Sequence, residues 1–238
     1  MKAGVLAVAA GVVLVSSSAF AQGVRHTETP RTGAFQLKLG LYNPGPHIDA
    51  AAQGSPYSDT FDGAMWLVEA QYDRYLWQGL GAVGIGLSFG YAEKYGAATV
   101  EGDPDAETSV KTSLHVYPLK LMGLYSFDYL SLEFGIPLVP YVRAGLAYVP
   151  WRSTVGGEVE VVDGNTMFGG KWGLAGTAGL SFLMDVLEPR LAADFDSSVG
   201  VNNTYLFAEY NVLWANNFGG AGLDLSSSHL MFGLAFEF

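Results

Sequence analysis

His229-Leu230-Met231-Phe232-Gly233-Leu234-Ala235-Phe236-Glu237-Phe238 is the stretch on which the reading of the whole chain turns. Leu230, Phe232, Leu234, Phe236 and Phe238 alternate with Met231, Gly233, Ala235 and Glu237. A period of two is that of a β-strand, so one side of this segment is a continuous apolar row. The sequence ends on an aromatic residue, with no polar tail after the row. A strand of this kind is at home as the last strand of a closed sheet, where it pairs with the first and leaves no edge.

The same ending resembles the C-terminal assembly signal of outer-membrane β-barrels: a Gly, two residues, then two apolar residues separated by one. Here those positions are Gly233, Phe236 and Phe238, while Met231 stands where the signal usually has a polar residue.

A second strand separates a membrane barrel from a soluble sandwich. Val83, Ile85, Leu87, Phe89 and Tyr91 alternate with Gly84, Gly86, Ser88, Gly90 and Ala92. The second face of a soluble sheet meets water and carries Lys, Glu or Thr. Gly and Ser serve poorly there but leave room for long neighbours inside a narrow barrel. The apolar face is therefore placed outward, in lipid, and the small face inward.

Bulk composition agrees. Of 238 residues, 50% are hydrophobic and only 15% charged, lean for a soluble surface. Gly is the extreme, at 31 residues without a Gly-X-Y repeat, which excludes collagen. A formal charge of −11 argues against a nucleic-acid partner. With no Cys there is no disulfide, thiolate metal site or Cys nucleophile.

Residues 1–21 read as a signal peptide. Met1-Lys2 is a short positive start, Ala3 to Val15 holds only Ala, Gly, Val and Leu, and Ala19-Phe20-Ala21 is an A-x-A cleavage site. The run is too short for the ~20 residues of a spanning helix. Cleavage is expected after Ala21, followed by a mobile periplasmic lead-in over 22–33 and an outer-membrane barrel over 34–238. With no other long apolar run, a membrane-resident mature chain has to span as strands.

The remaining strands follow the same rule. Phe35, Leu37, Leu39 and Leu41 face out on the first. Trp66, Val68, Ala70 and Tyr72 do so on the second, opposite Glu69, Gln71 and Asp73. In the fourth, Leu114 and Val116 share a side, which Leu119, Leu121 and Tyr125 continue after a slip read as a bulge at Pro118. Val142, Ala144, Leu146 and Tyr148 face out on the fifth, Trp172, Leu174, Ala178, Leu180 and Phe182 on the sixth. Leu206, Ala208, Tyr210, Val212 and Trp214 do so on the seventh.

The expectation is an all-β, antiparallel up-and-down transmembrane β-barrel of eight strands, with ten as the alternative because two connections are long. A short periplasmic helix is expected within Asp185 to Gly200 with Pro189 at its first position, a helical turn within Tyr129 to Phe134, and a small hairpin near Val159 to Val162. With both termini periplasmic, loops near 43–63, 96–109, 150–169 and 215–227 face outside.

Asp185-Val186-Leu187-Glu188-Pro189-Arg190-Leu191, Asp194 to Asn202 and Thr204 to Tyr210 resemble a family of outer-membrane β-barrel proteins typical of myxobacteria. Gly135 to Tyr141, Ala144-Gly145-Leu146, Leu37 to Gly40 and Met231 to Leu234 fit the same family more loosely. The resemblance implies fold and location; no activity or ligand comes with it.

Several constellations bear on function. Lys38, Glu69, Asp73, Lys120, Arg143, Glu209 and Glu237 are assigned to the inner face. An eight-stranded interior is only wide enough for side chains to fill it, and buried charges must pair. They are expected to form a salt-bridged plug, with a narrow ion path as the alternative. Lys94, Lys111, Arg152 and Lys171 fall near outward strand ends and are expected to form a partial basic ring at the outer rim, for ordinary anchoring or for contact with lipopolysaccharide phosphates.

Glu101, Asp103, Asp105 and Glu107 read as a solvated acidic loop, since the Gly and distal Glu of a Ca²⁺ loop are missing. Gly79-Leu80-Gly81-Ala82-Val83-Gly84 matches a dinucleotide pattern by letters, with no helix after it. Ser227 is within reach of His229, but no orienting acid is evident, so no catalytic residue is assigned. Trp66, Tyr95, Tyr117, Tyr148, Trp151, Trp172 and Trp214 are expected in one aromatic girdle, and Trp77, Tyr125, Phe127 and Phe238 in the other.

The function expected is that of a structural or surface-interaction barrel with a plugged lumen, acting through its extracellular loops. A small-solute or hydrophobic-compound transporter is the alternative, and a lipid-modifying enzyme the less favoured one. No cofactor or metal is expected. Partners are outer-membrane lipid and lipopolysaccharide, with barrel-assembly machinery and periplasmic chaperones on the way; the barrel is expected to be a monomer.

Overall fold

The computed structural model describes residues 31–44, 63–100, 103–162, 165–220 and 223–238. The signal-peptide segment, most of the lead-in, the loop over 45–62 and Glu101 lie outside the described residues. Eight strands form one closed ring: β1 (Gly33–Tyr42), β2 (Met65–Gly79), β3 (Gly81–Val100), β4 in two segments (Asp103–Val116 and Leu119–Ser126), β5 (Leu138–Val155), β6 (Phe168–Leu183), β7 (Asn203–Trp214) and β8 (Ser227–Glu237). The sheet holds ten segments, of which the halves of β4 make one strand and the two-residue ladder Glu158–Val159 is a flap on β5, so the ring has eight.

Every neighbour pair is antiparallel, and β8 closes the ring on β1, with Phe35 opposite Phe236 and Gly40 opposite Met231. Backbone bonds seal the seam: Thr32 N–H and Gly33 N–H donate to the Phe238 carbonyl at 2.6 and 2.9 Å. Both ends of the described chain therefore lie at the same end of the barrel.

Eight strands rather than ten result because both long connections at that end are helical. Helix α1 (Tyr129–Phe134) stops at Gly135, which takes the left-handed conformation (φ 66°) that favours glycine. A 3₁₀ turn (Met184–Val186) leads to α2 (Pro189–Val199), where Pro189 sits at the start of the helix and Gly200 caps its end.

Inside–outside alternation holds around the ring. Phe35, Leu37, Leu39 and Leu41 are exposed on β1 while Gln36, Lys38, Gly40 and Tyr42 are buried. On β3 the exposed row is Val83, Ile85, Leu87, Phe89 and Tyr91. Small residues do make room inside: a Cβ on Gly86 would collide with the Asp73 carboxylate, and one on Gly179 with the Tyr141 ring.

The fourth strand corrects one expectation. Its phase does not slip at Pro118. Leu114, Val116, Lys120, Met122 and Leu124 are all buried on the inner face, so even-numbered residues point inward throughout. Pro118 only interrupts the ladder, its carbonyl accepting from Gly90 N–H at 2.8 Å while Tyr117 N–H donates to the Pro150 carbonyl at 2.9 Å. Tyr117, His115 and Ser113 consequently belong to the outer face. The region 96–109 is also largely strand, because β3 and β4 continue pairing past the ring, as far as Val100 opposite Asp103. Likewise β5 and β6 run on to Arg152 opposite Phe168.

Candidate functional site

The lumen is filled in layers. Nearest the far end, Tyr42, Met65, Leu67, Leu114, Val116, Val149, Leu213, Leu225 and Met231 form an apolar cluster, with Trp151 packed against it. Trp151 thus points inward and is not part of the outer girdle. A second apolar cluster, of Leu124, Val139, Tyr141, Tyr205, Phe207 and Ala235, lies toward the terminal end.

Between the clusters sits a network of three cations, Lys38, Lys120 and Arg143, and three anions, Glu69, Asp73 and Glu209, all at most 4% exposed. Lys38 Nζ lies 2.9 Å from Glu209 Oε1 and 3.4 Å from Glu69 Oε1. Lys120 Nζ lies 2.6 Å from Glu69 Oε2. Arg143 bridges Asp73 Oδ2 at 3.0 Å and Glu209 Oε2 at 3.1 Å. Neutral donors complete the shell: Gln36 and Gln71 donate to Asp73 at 2.8 and 2.6 Å, and Tyr141 O–H donates to Glu209 at 2.8 Å. The Tyr141 ring also lies 4.3 Å beneath the guanidinium carbon of Arg143. Equal numbers of opposite charges, each with an ion-pair partner, are what an interior of low dielectric demands.

Glu237 shares the inward parity of this set but belongs to a separate layer at the terminal mouth. There Arg31 lies 2.6 Å from Asp128 and 3.4 Å from Glu237, and Asn203 donates to Glu237 at 2.5 Å. Burial works against the Arg31 charge, but Glu237 and Asp128 outweigh it and hold the guanidinium more firmly protonated than usual. Arg31 was expected in a mobile lead-in and instead closes the mouth. Nothing in a strand pattern could reveal this, because Arg31 precedes β1 and Asp128 follows β4. A cavity of about 30 Å³, lined in part by Asp73, Tyr141, Arg143 and Tyr205, is the space left between these layers.

Arg31→Ala leaves the Glu237 carboxylate buried without its cation. We expect it to lower stability by about 1–3 kcal/mol, read as an earlier midpoint in denaturant unfolding of the detergent-solubilised protein.

The four rim residues do not form one ring. Lys171 is buried on the inner face, one residue before outward Trp172, and so cannot line an exposed rim. Lys94 donates to the Ala64 carbonyl at 3.2 Å. The side chain of Lys111 lies outside the described ones. Arg152 alone is described as exposed on the outward face. It lines a crevice of about 500 Å³ with Tyr117, Tyr148, Val159 and Phe168.

Asp103, Asp105 and Glu107 fall within β4 rather than in a loop; their side chains are outside the described ones. Among the described residues no group of His, Asp and Glu is placed to hold a metal ion. Ser227 Oγ lies 3.2 Å from His229 Nδ1, but both point into the filled lumen, and His229 packs edge-on against Tyr42 rather than against an acid.

A constellation on the outer wall was not visible in the sequence. Register places Glu93 opposite His115 and His115 opposite Arg152, in one row across β3, β4 and β5. The next row is Tyr95, Ser113 and Thr154. Ser113 Oγ lies 3.1 Å from His115 Nε2, and His115 Nδ1 lies 3.5 Å from Glu93 Oε1. Tyr91 O–H donates to Glu93 Oε2 at 2.9 Å, and its oxygen is 3.1 Å from His115 Nδ1.

No protein-family model matches the chain, and no curated protein is similar to it in sequence. Among solved structures, Neisserial surface protein A is similar at 14% identity and a TM-score of 0.45, over 87% of this chain and 97% of that one. Ail, the attachment invasion locus protein of Yersinia pestis, in complex with the heparin analogue sucrose octasulfate, is similar at 13% identity and a TM-score of 0.42, over 87% and 99%. The outer membrane protein OprG from Pseudomonas aeruginosa is similar at 14% identity and a TM-score of 0.44, over 87% and 97%. What this chain itself displays is an eight-stranded, antiparallel, up-and-down β-barrel with an apolar outer wall and a charge-paired interior.

Proposed function

We propose that the protein is an outer-membrane barrel with a closed lumen, a structural or surface-interaction protein that meets its partners on its wall and outward loops. The observation that carries this reading is the layered filling of the interior, apolar above and below a fully paired charge network. The charged groups of the central layer are committed to one another.

Support for the membrane comes from the wall. Leu37, Val68, Leu87, Phe89, Leu121, Leu146, Leu206 and Phe232 all stand exposed on it, from most strands of the ring. A closed ring satisfies every backbone pair without an edge, as hydrocarbon requires. Tyr95, Trp66, Trp172 and Trp214 lie exposed toward one end and Trp77 and Tyr125 toward the other, the positions of interfacial girdles. In this reading the terminal end faces the periplasm and the extended β3–β4 hairpin faces outward. Lipopolysaccharide and outer-membrane lipid are the surroundings, assembly machinery and chaperones the route, and a monomer the working state. The resemblance of the segment over 185–210 supports grouping it with the myxobacterial-type barrels.

Planar-bilayer recording tests the central point. The wild-type protein is expected to give no steady single-channel conductance. Large, stable currents would replace this reading with that of a porin-like transporter.

A further inference from the structure

Ser113 and His115, outward by parity on β4 but only 7% and 8% exposed, make with Glu93 of β3 the two contacts of a hydrolytic triad. We propose that they form an esterase site that cleaves the acyl ester of a phosphate-bearing membrane lipid. This goes beyond the closed-lumen reading, and its choice of substrate rests on the proposed membrane setting of the wall.

The argument begins with tautomer and direction. Glu93 and the Tyr91 hydroxyl both face His115 Nδ1, at 3.5 and 3.1 Å, and the Tyr91 proton is given to Glu93. A proton on Nδ1 therefore has the Tyr91 oxygen as its acceptor with the Glu93 carboxylate beside it, which leaves the lone pair of Nε2 aimed at Ser113 Oγ, 3.1 Å away. That is the orientation a general base needs toward a nucleophile. Thr154 Oγ1, 2.6 Å from Ser113 Oγ, supplies a second hydroxyl at the nucleophile. Tyr91 and Glu93 are positioning residues; Ser113 and His115 are the catalytic ones.

Depth selects the substrate. His115 lies two residues beyond Tyr117 on β4, so about 6–7 Å further along the strand. Tyr117 packs on Tyr91 at 5.4 Å between ring centroids and marks the aromatic level of the wall. Below it the wall is apolar, as at Phe89 and Leu121. The triad thus stands where hydrocarbon gives way to headgroup, the level of a lipid's ester carbonyls. Next to it, the crevice between Tyr117, Tyr148 and Phe168 is shaped for an acyl chain, and the exposed Arg152 guanidinium matches a headgroup phosphate.

In the reaction, Ser113 Oγ bonds to the carbonyl carbon as its proton passes to His115 Nε2. The ester C–O bond breaks, and the alcohol leaves with that proton. Water then attacks the acyl-serine and gives a proton to His115. The C–Oγ bond breaks, Ser113 recovers the proton, and the fatty acid is released. The net change is ester plus water to carboxylic acid plus alcohol.

The test uses the full-length protein folded in detergent micelles, with folding verified by heat-shifted gel mobility. A long-chain alkyl fluorophosphonate is expected to label one serine, located at Ser113 by peptide mass spectrometry. A p-nitrophenyl acyl ester and a phospholipid in mixed micelles are expected to be hydrolysed. Ser113→Ala should abolish both readouts, and His115→Asn should slow labelling by about 100-fold or more. Ser227→Ala should label like the wild type. Glu93→Gln should shift the pH profile of labelling, which a merely structural role would not move, and Arg152→Gln should raise KM for the phospholipid but not for the neutral ester. In the wild type alone, saturating phospholipid should slow labelling, which keeps the test independent of variant folding. A folded wild type that neither labels nor hydrolyses, a label that survives Ser113→Ala, or labelling without hydrolysis of either ester would each overturn the proposal. None of these outcomes bears on whether the lumen conducts.

Discussion

Arg143→Ala is expected to lower the unfolding free energy by about 3–5 kcal/mol, the range for breaking a buried ion pair from one side. Arg143 reaches from β5 to carboxylates on two other strands, Asp73 of β2 and Glu209 of β7. Removing it leaves both anions in the interior with one fewer counter-charge. Lys38 still answers Glu209, and Gln36 and Gln71 still donate to Asp73, so the loss stays below that of two isolated charges. Arg143→Lys should recover only part, because an ammonium cannot hold two carboxylates in a planar fork. Reversible denaturant unfolding in lipid vesicles, followed by tryptophan fluorescence, measures the difference. A change within about 0.5 kcal/mol, the range of ordinary surface substitutions, would mean that the network does not hold the strands in register.

Leu87→Arg is the second large effect. Leu87 is 59% exposed and sits at the centre of the outward row of β3, between Val83 and Tyr91. If hydrocarbon surrounds the barrel, Arg at that depth costs about 2–4 kcal/mol, falling to about 0–1 kcal/mol near an interface. Tyr95→Arg, two pairs above the apolar belt, is the matched control. The same vesicle unfolding experiment should rank the two variants clearly, with Leu87→Arg the less stable. Equal costs at both positions would show that the wall meets one uniform solvent, and the membrane reading would fail.

Much of the lumen was legible from residue parity. Lys38, Glu69, Asp73, Lys120, Arg143 and Glu209 lie on inner faces as their neighbours' hydrophobicity requires, because a strand cannot turn one side chain inward without turning the next outward. The same rule excludes Lys171 from the rim, since Trp172 beside it faces out. Leu114 and Val116 show where parity alone fails. An apolar pair in an eight-stranded barrel fits either face, and only packing into the far-end cluster decides that they point in. That choice sends Ser113 and His115 outward and brings them to Glu93.

What the sequence by itself determined is the alternation of faces, the antiparallel barrel class and the inward placement of the charges, because each follows from a local period of two and from the cost of unpaired charge; that the ring has eight strands and not ten was decided by the helical connections. The tertiary structure alone decided which residues meet. Arg31 with Asp128 and Glu237, or Ser113 with His115 and Glu93, are brought together by strand register and ring closure. Register depends on hairpin lengths and on how the whole interior packs, and no single strand contains that information.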